Sequence, residues 1–442
     1  MEGNYDSGGR FRRWRALAQN TTSIFSPDET FPPSRDQNTL PRPKHPPAAP
    51  KPHRNIVHPQ LAISTRYPGR IIGIKDFINH RCEARAMFPE LISTQAFSRK
   101  VLADSLASGS LIKVGRGHVI RPLKSADKWQ RIRHVKLGQI ASHAARCNTP
   151  PVFIGVTAAL LHGLSLKSLR GDTALHTSTR HFENKLLPAW VDVDTSKGRP
   201  IRTKIPPTPL IFHKISLPKK SAKFIGHGVR ATDLPVTTLQ CAAWLPAGSA
   251  QAVADSAARK LIPQWNQLDR RSREVVADRI PKLREQMYSL ARRYRKRLGA
   301  PQARRILANM DPRFESYAES LFHTASQLAQ VKQLIPQFQV KISNAQSYFL
   351  DAALPKIREA FEIDGMKKYQ SSDPHKAYEA IQGEKQRQSQ LQKLGWRIYR
   401  FTYEDVADTL GFAKFLRKRL STSWNGVALP PLYRLKKPAF NM

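Results

Sequence analysis

"SYFLDAALPKIREAFEIDGMKKY", residues 347–369, is the stretch on which the reading of this chain turns. Two short apolar runs carry Asp351, then Glu362 and Asp364, and a lysine pair, Lys367 and Lys368, follows at once. The chain has 33 Asp and Glu against 73 Lys and Arg, so acids gathered this way are a scarce resource used in one place. "SYFLDAAL" reads as a strand, and "PQFQVKI" (336–342) as its hairpin partner across the polar turn "SNAQ". Glu362 and Asp364 lie two residues apart, so on a strand both project from one face.

Working outward, "DPRFESYAESLFHTASQLAQ" (311–330) is a predicted helix with Glu315 and Glu319 one turn apart. "YEAIQGEKQRQSQLQKLG" (378–395) is a second helix, ending at Gly395 in the place of a left-handed cap. "WRIYRFT" (396–402) closes the unit as a strand. The predicted order is helix, hairpin, strand, helix, strand, which gives an α/β unit with one mixed sheet.

Acids on two neighbouring strands and a flanking helix suit phosphodiester cleavage. That reaction needs a water made nucleophilic at neutral pH and charge neutralised on the phosphate, and carboxylate-held Mg²⁺ or Mn²⁺ supplies both. Asp351 and Glu362 are the expected metal ligands, with Glu319 on a metal-bound water and Lys368 as the catalytic cation. The structural alternative is that Asp351 caps a turn and Glu362 ends a strand.

The segments "ESYAES", "PQFQV", "FLDAAL", "FEIDG" and "EKQR" through "LGWRIYRFTYEDV" resemble the restriction-endonuclease-like domain related to very-short-patch-repair endonucleases, in the PD-(D/E)XK superfamily. The resemblance covers roughly 311 to 420. It implies that the family's helix glutamate falls on Glu319, its hairpin aspartate on Asp351 and its strand glutamate on Glu362. The pattern departs at the third position of (D/E)XK, where Asp364 stands in place of lysine. The basic role then migrates to Lys368, or to Lys367, with Glu384 and Arg387 on the following helix as supporting residues.

"FPELISTQAFSRKVLADSLASGSLIKVGRGHVIRP" (88–122) reads as one or two short helices and a small ribbon turned at Gly115 and Gly117, the element order of a winged helix-turn-helix. Arg99, Lys100, Lys113 and Arg116 are its expected nucleic-acid contacts. "VTAALLHGL" and "LQCAAWLP" resemble the AbiEi-type antitoxins of type IV toxin-antitoxin systems, which bind operator DNA through such a unit. His162 and Asp255 read as structural, the former contacting last-turn carbonyls of its own helix. "RRYRKR" (292–297) places Arg292, Arg293, Arg295, Lys296 and Arg297 in six residues without an acid, a run that repels itself unless an anion is near.

These readings divide the chain into a disordered Pro/Arg-rich tail (1–65), a winged-helix unit (66–125), an AbiEi-like α/β region (126–262), a basic helical connector (263–310), an endonuclease-like domain (311–425) and a tail (426–442). The fold class is multidomain α/β and α+β. A formal charge of +40 favours a polyanionic partner, DNA first. Three cysteines without metal-ligand spacing argue against a zinc site and a disulfide framework, and no run of about 18 apolar residues predicts a spanning helix. The expectation is a cytoplasmic, nucleoid-associated bacterial protein with no membrane role. The expected activity is that of a Mg²⁺-dependent DNA endonuclease or nickase; the alternatives are a non-catalytic antitoxin-like regulator with a cognate toxin encoded nearby, and charge-driven binding without sequence preference.

Overall fold

The computed structural model describes residues 88–125, 127–167, 174–178, 185–195, 199–294, 299–343, 346–364 and 374–423. The expected tails (1–65 and 426–442) and the first part of the winged-helix unit lie outside them.

The described chain opens with β1 (Ile92–Ser93), α1 (Arg99–Ser108) and the hairpin β2 (Ile112–Gly115) and β3 (His118–Ile120). Ser98 caps α1 by accepting from the Val101 amide at 3.3 Å. Gly117 supplies the positive φ of 81° that the hairpin turn requires. The three strands form an antiparallel sheet in the order β1-β3-β2. Alternation sends Ile112, Val114 and Ile120 inward against Ile132 and Val135 of α2 (Lys128–Ala145).

Next come β4 (Val152–Phe153), α3 (Gly155–Leu161), β5 (Leu175–Ser178), β6 (Lys185–Leu187), the ribbon β7 (Trp190–Asp194) and β8 (Ile201–Ile205), β9 (Thr208–His213), β10 (Ala222–Gly226) and β11 (Val229–Thr232). Six of these strands make a mixed sheet in the order β10-β11-β4-β5-β9-β6. The separate ribbon joins the hairpin core through Trp190 and Ile205. A buried ion pair ties the ribbon to α2, with Arg131 Nε 2.9 Å from Asp192 Oδ1. His162 closes α3, and its Nε2 meets the Thr232 carbonyl of β11 at 2.7 Å.

The helices α4 (Leu234–Trp244), α5 (Ala247–Leu261), α6 (Arg279–Arg293) and α7 (Ala300–Asn309) share one apolar core. The stretch 263–310, expected as a connector, is therefore packed. Ile280, Leu283, Met287 and Ala291 recur at helical spacing along α6 and bury against Leu239 and Val253, leaving the cations on the outer face.

The C-terminal elements follow the expected order: α8 (Tyr317–Leu328), β12 (Ile335–Lys341), β13 (Ser347–Leu354), β14 (Glu359–Asp364), α9 (Pro374–Lys393) and β15 (Arg397–Thr402), then α10 (Tyr403–Ala407) and α11 (Thr409–Ser423). The sheet runs β12-β13-β14-β15; its first two pairings are antiparallel and the last is parallel. Gly395 ends α9 at φ 80°, the left-handed cap that its position predicted. Phe322 of α8 seats on Phe361 of β14 and Phe412 of α11, with ring centroids 5.3 and 6.0 Å away.

Candidate carboxylate site

Two strands bring Asp351 and Glu362 together. The β13–β14 ladder pairs Leu354 with Glu359, Ala353 with Ala360 and Ala352 with Phe361. One step further along this register Asp351 stands opposite Glu362. There the backbone ladder gives way to a side chain, and Asp351 Oδ2 accepts the Ile363 amide at 2.9 Å. The acids thus sit where two paired strands part.

Glu319 comes from the first turn of α8. Ser316 caps that helix by accepting the Glu319 amide at 3.0 Å, and Glu319 Oε2 reaches back to the Glu315 amide at 2.9 Å. This is close to a capping box, so Glu319 has a local structural role as well. Burial, and after it the neighbouring Asp351 charge, push the Glu319 carboxyl up to about 7. Glu315 behaves oppositely. Burial alone would raise it, but hydrogen bonds from Arg270 and Arg273 outweigh burial and hold it below the usual carboxylate range. The Arg270 contact is 2.6 Å, and its charge also acts on Asp351 and Glu319.

Glu362, 4% exposed, takes a different partner. Arg387 NH2 lies 2.7 Å from Glu362 Oε1 and 2.9 Å from the Phe349 carbonyl, while NH1 stands 3.5 Å from Glu384. Arg400 binds the other side of that interaction, hydrogen-bonded to Glu384 Oε1. Burial works against the Arg387 charge, yet Glu362 and Glu384 outweigh it and raise its pKa. Asp364 is half-buried at the end of β14, and Lys367 and Lys368 lie outside the described residues.

The structure therefore places Asp351 within the electrostatic reach of Glu319, and Glu362 against Arg387. Among the described residues no group of three or more His, Cys, Asp or Glu stands ready to hold a metal ion. One oxygen of the expected ligand Glu362 is engaged by the Arg387 guanidinium. Two participants carry no mark in the sequence. Gln337 Nε2 lies 3.5 Å from Glu319 Oε2, while its Oε1 is buried without a hydrogen-bond partner. Arg270 belongs to the stretch 263–310, whose charge density masks its packing. An amide in a strand and an arginine 81 residues before Asp351 give no local signal.

The expected nucleic-acid contacts are placed on the surface where they are described. Arg99, Lys100, Lys113, Arg116, Arg292 and Arg293 are exposed; Arg295, Lys296 and Arg297 lie outside the described residues. No helix among the described residues is long and apolar enough to cross a membrane. No family model, curated protein or solved structure matches this chain.

Proposed function

We propose that the chain acts on DNA and that its C-terminal unit hydrolyses phosphodiester bonds with a divalent cation, in the manner of the PD-(D/E)XK nucleases it resembles. The observation that carries this reading is the placing of Asp351 opposite Glu362 at the point where two paired strands open, near enough to Glu319 for the Asp351 charge to act on it. Two interacting acids, with the Gln337 side-chain amide against Glu319 and its Oε1 unpartnered, supply oxygen donors of the kind that Mg²⁺ or Mn²⁺ takes. Asp351, Glu319 and Gln337 would hold the ion, which when bound supplies a polarised water and offsets phosphate charge.

The chain's own residues do the rest. Without an ion the Glu319 carboxyl has a pKa of about 7, so binding of a cation there would release its proton. Arg387 keeps a positive charge beside Glu362, at a site whose (D/E)XK lysine position is occupied by Asp364. A substrate phosphate that draws this guanidinium away frees Glu362 to join the other two acids, and Lys368 remains the proposed second cation. The test is plasmid nicking with Mg²⁺ or Mn²⁺, by wild type beside Asp351→Ala and Glu362→Ala, with EDTA as control. Metal-dependent nicking lost in both variants is the expected result; no nicking, or equal nicking by all three proteins, overturns the reading.

A second reading is a non-catalytic DNA-binding regulator of the type IV antitoxin kind, and the Arg387–Glu362 ion pair favours it by occupying an acid that the chemistry needs. It expects a promoter fragment to be shifted without metal and no nicking in any condition.

A further inference from the structure

A second polar site lies away from the three acids, where α6, α7 and α8 meet the loop into β12. It is a cavity of about 210 Å³, lined by Arg284, Asn309, Asp311, Arg313, His323 and Gln327 among others. A void of this size and polarity takes several waters or a small polar group in their place.

Its floor is saturated. Asp255, fully buried, accepts from Gln251 Nε2 at 2.7 Å and from the Asp311 amide at 2.9 Å, and meets His323 Nδ1 at 3.2 Å. Gln327 Nε2 in turn lies 2.8 Å from His323 Nε2. The mouth is not saturated. Two guanidiniums share one carboxylate: Arg284 NH2 and Arg313 NH2 each lie 2.8 Å from Asp311 Oδ2. Arg284 Nε is used by the Met310 carbonyl and Arg313 Nε by Asp311 Oδ1. The NH1 group of each makes no hydrogen bond among the described residues, and both side chains are about one-third exposed, at 31% and 32%. The next acid acting on Arg313 is Glu274. Two guanidiniums that present unused NH1 donors at the mouth suit a tetrahedral oxyanion better than a cation.

We propose that this cavity binds a phosphate group, held by Arg284 and Arg313 over the Asp255–His323 floor. The phosphate comes either from a small molecule or from a nucleic-acid backbone, and the chemistry of recognition is the same. The carboxylate site takes no part in it.

The full chain, in EDTA and at matched ionic strength, is titrated with inorganic phosphate, a nucleoside 5′-monophosphate and a duplex lacking terminal phosphates, reading heat and thermal stability. Wild type is compared with Arg284→Gln, which removes a fork, and with Asn309→Asp, which adds a negative charge to the lining without removing a cation. Saturable binding of either small phosphate, weakened about tenfold or more in both variants, upholds the proposal with a free-phosphate ligand. Binding of the duplex alone, weakened equally in both, upholds it with a backbone phosphate. No phosphate effect beyond that of chloride, or one unchanged in Asn309→Asp, overturns it. Because EDTA is present, either outcome leaves the nicking test untouched.

Discussion

One helix, α8, serves two clusters of buried acids that are handled in opposite ways. At its second turn His323 joins Asp255 and Asp311, and each carboxylate there has partners: Gln251, a backbone amide and the imidazole for one, two arginines for the other. Burial would push Asp311 up, but Arg313 and Arg284 outweigh it and hold its pKa down. At the first turn Glu319 is buried beside a second acid and its pKa rises to about 7. Groups that only hold a fold together are normally neutralised locally, whereas perturbed ones collect where chemistry is done. The contrast separates the seam between α5, α6 and α8, where each acid is neutralised by its neighbours, from the carboxylate site, where part of the acid charge is left in conflict.

The largest expected effect lies at the seam. Asp311→Asn leaves Arg284 and Arg313 without their shared carboxylate and costs about 3 kcal/mol of stability, read as a shift in the urea midpoint. A loss under about 0.5 kcal/mol, the level of ordinary surface changes, would mean that solvent already screens the pair and that the contrast with Glu319 is false.

The second effect is a pH dependence. The folded-state value of about 7 for Glu319 lies above that of an unfolded glutamate, about 4.3. The stability contributed by its protonation is full below about pH 4 and is lost as pH rises through 7. Glu319→Gln has nothing to ionise, so its stability relative to wild type should grow between pH 5 and pH 8, by up to about 3 kcal/mol. The comparison has to be a difference, because His143 and His176, both lowered to about 4 chiefly by burial, give the opposite slope in both proteins. A pH-independent difference would show that Glu319 is charged in the fold and serves only as a cap.

How much of this was legible in the sequence follows from which forces are local. The order of α8 through β15 could be read because alternation, helical spacing and the Gly395 cap are all written within a few residues. That Asp351 and Glu362 stand on neighbouring strands could be read in the same way, but the register that sets them opposite each other could not. The packing of α6 was also present, in the spacing of Ile280, Leu283, Met287 and Ala291, but the surrounding cations concealed it. The partner of Glu362 was not legible. Arg387 lies 25 residues away on a separate helix, and only the docking of α9 on the sheet decides which acid its fork meets.

The smallest expected effect tests that docking. Arg387→Met leaves Glu362 buried without its cation, costing about 2 kcal/mol at pH 8 and less at pH 5, where the carboxyl can take a proton. Glu362→Gln in the same background should recover much of the loss, so the two changes together cost less than their sum by about 1 kcal/mol or more. Additive changes would mean that the two side chains do not depend on each other in solution. Glu362 would then already be free to approach Asp351, and the ion pair would no longer favour a purely binding protein over a cutting one.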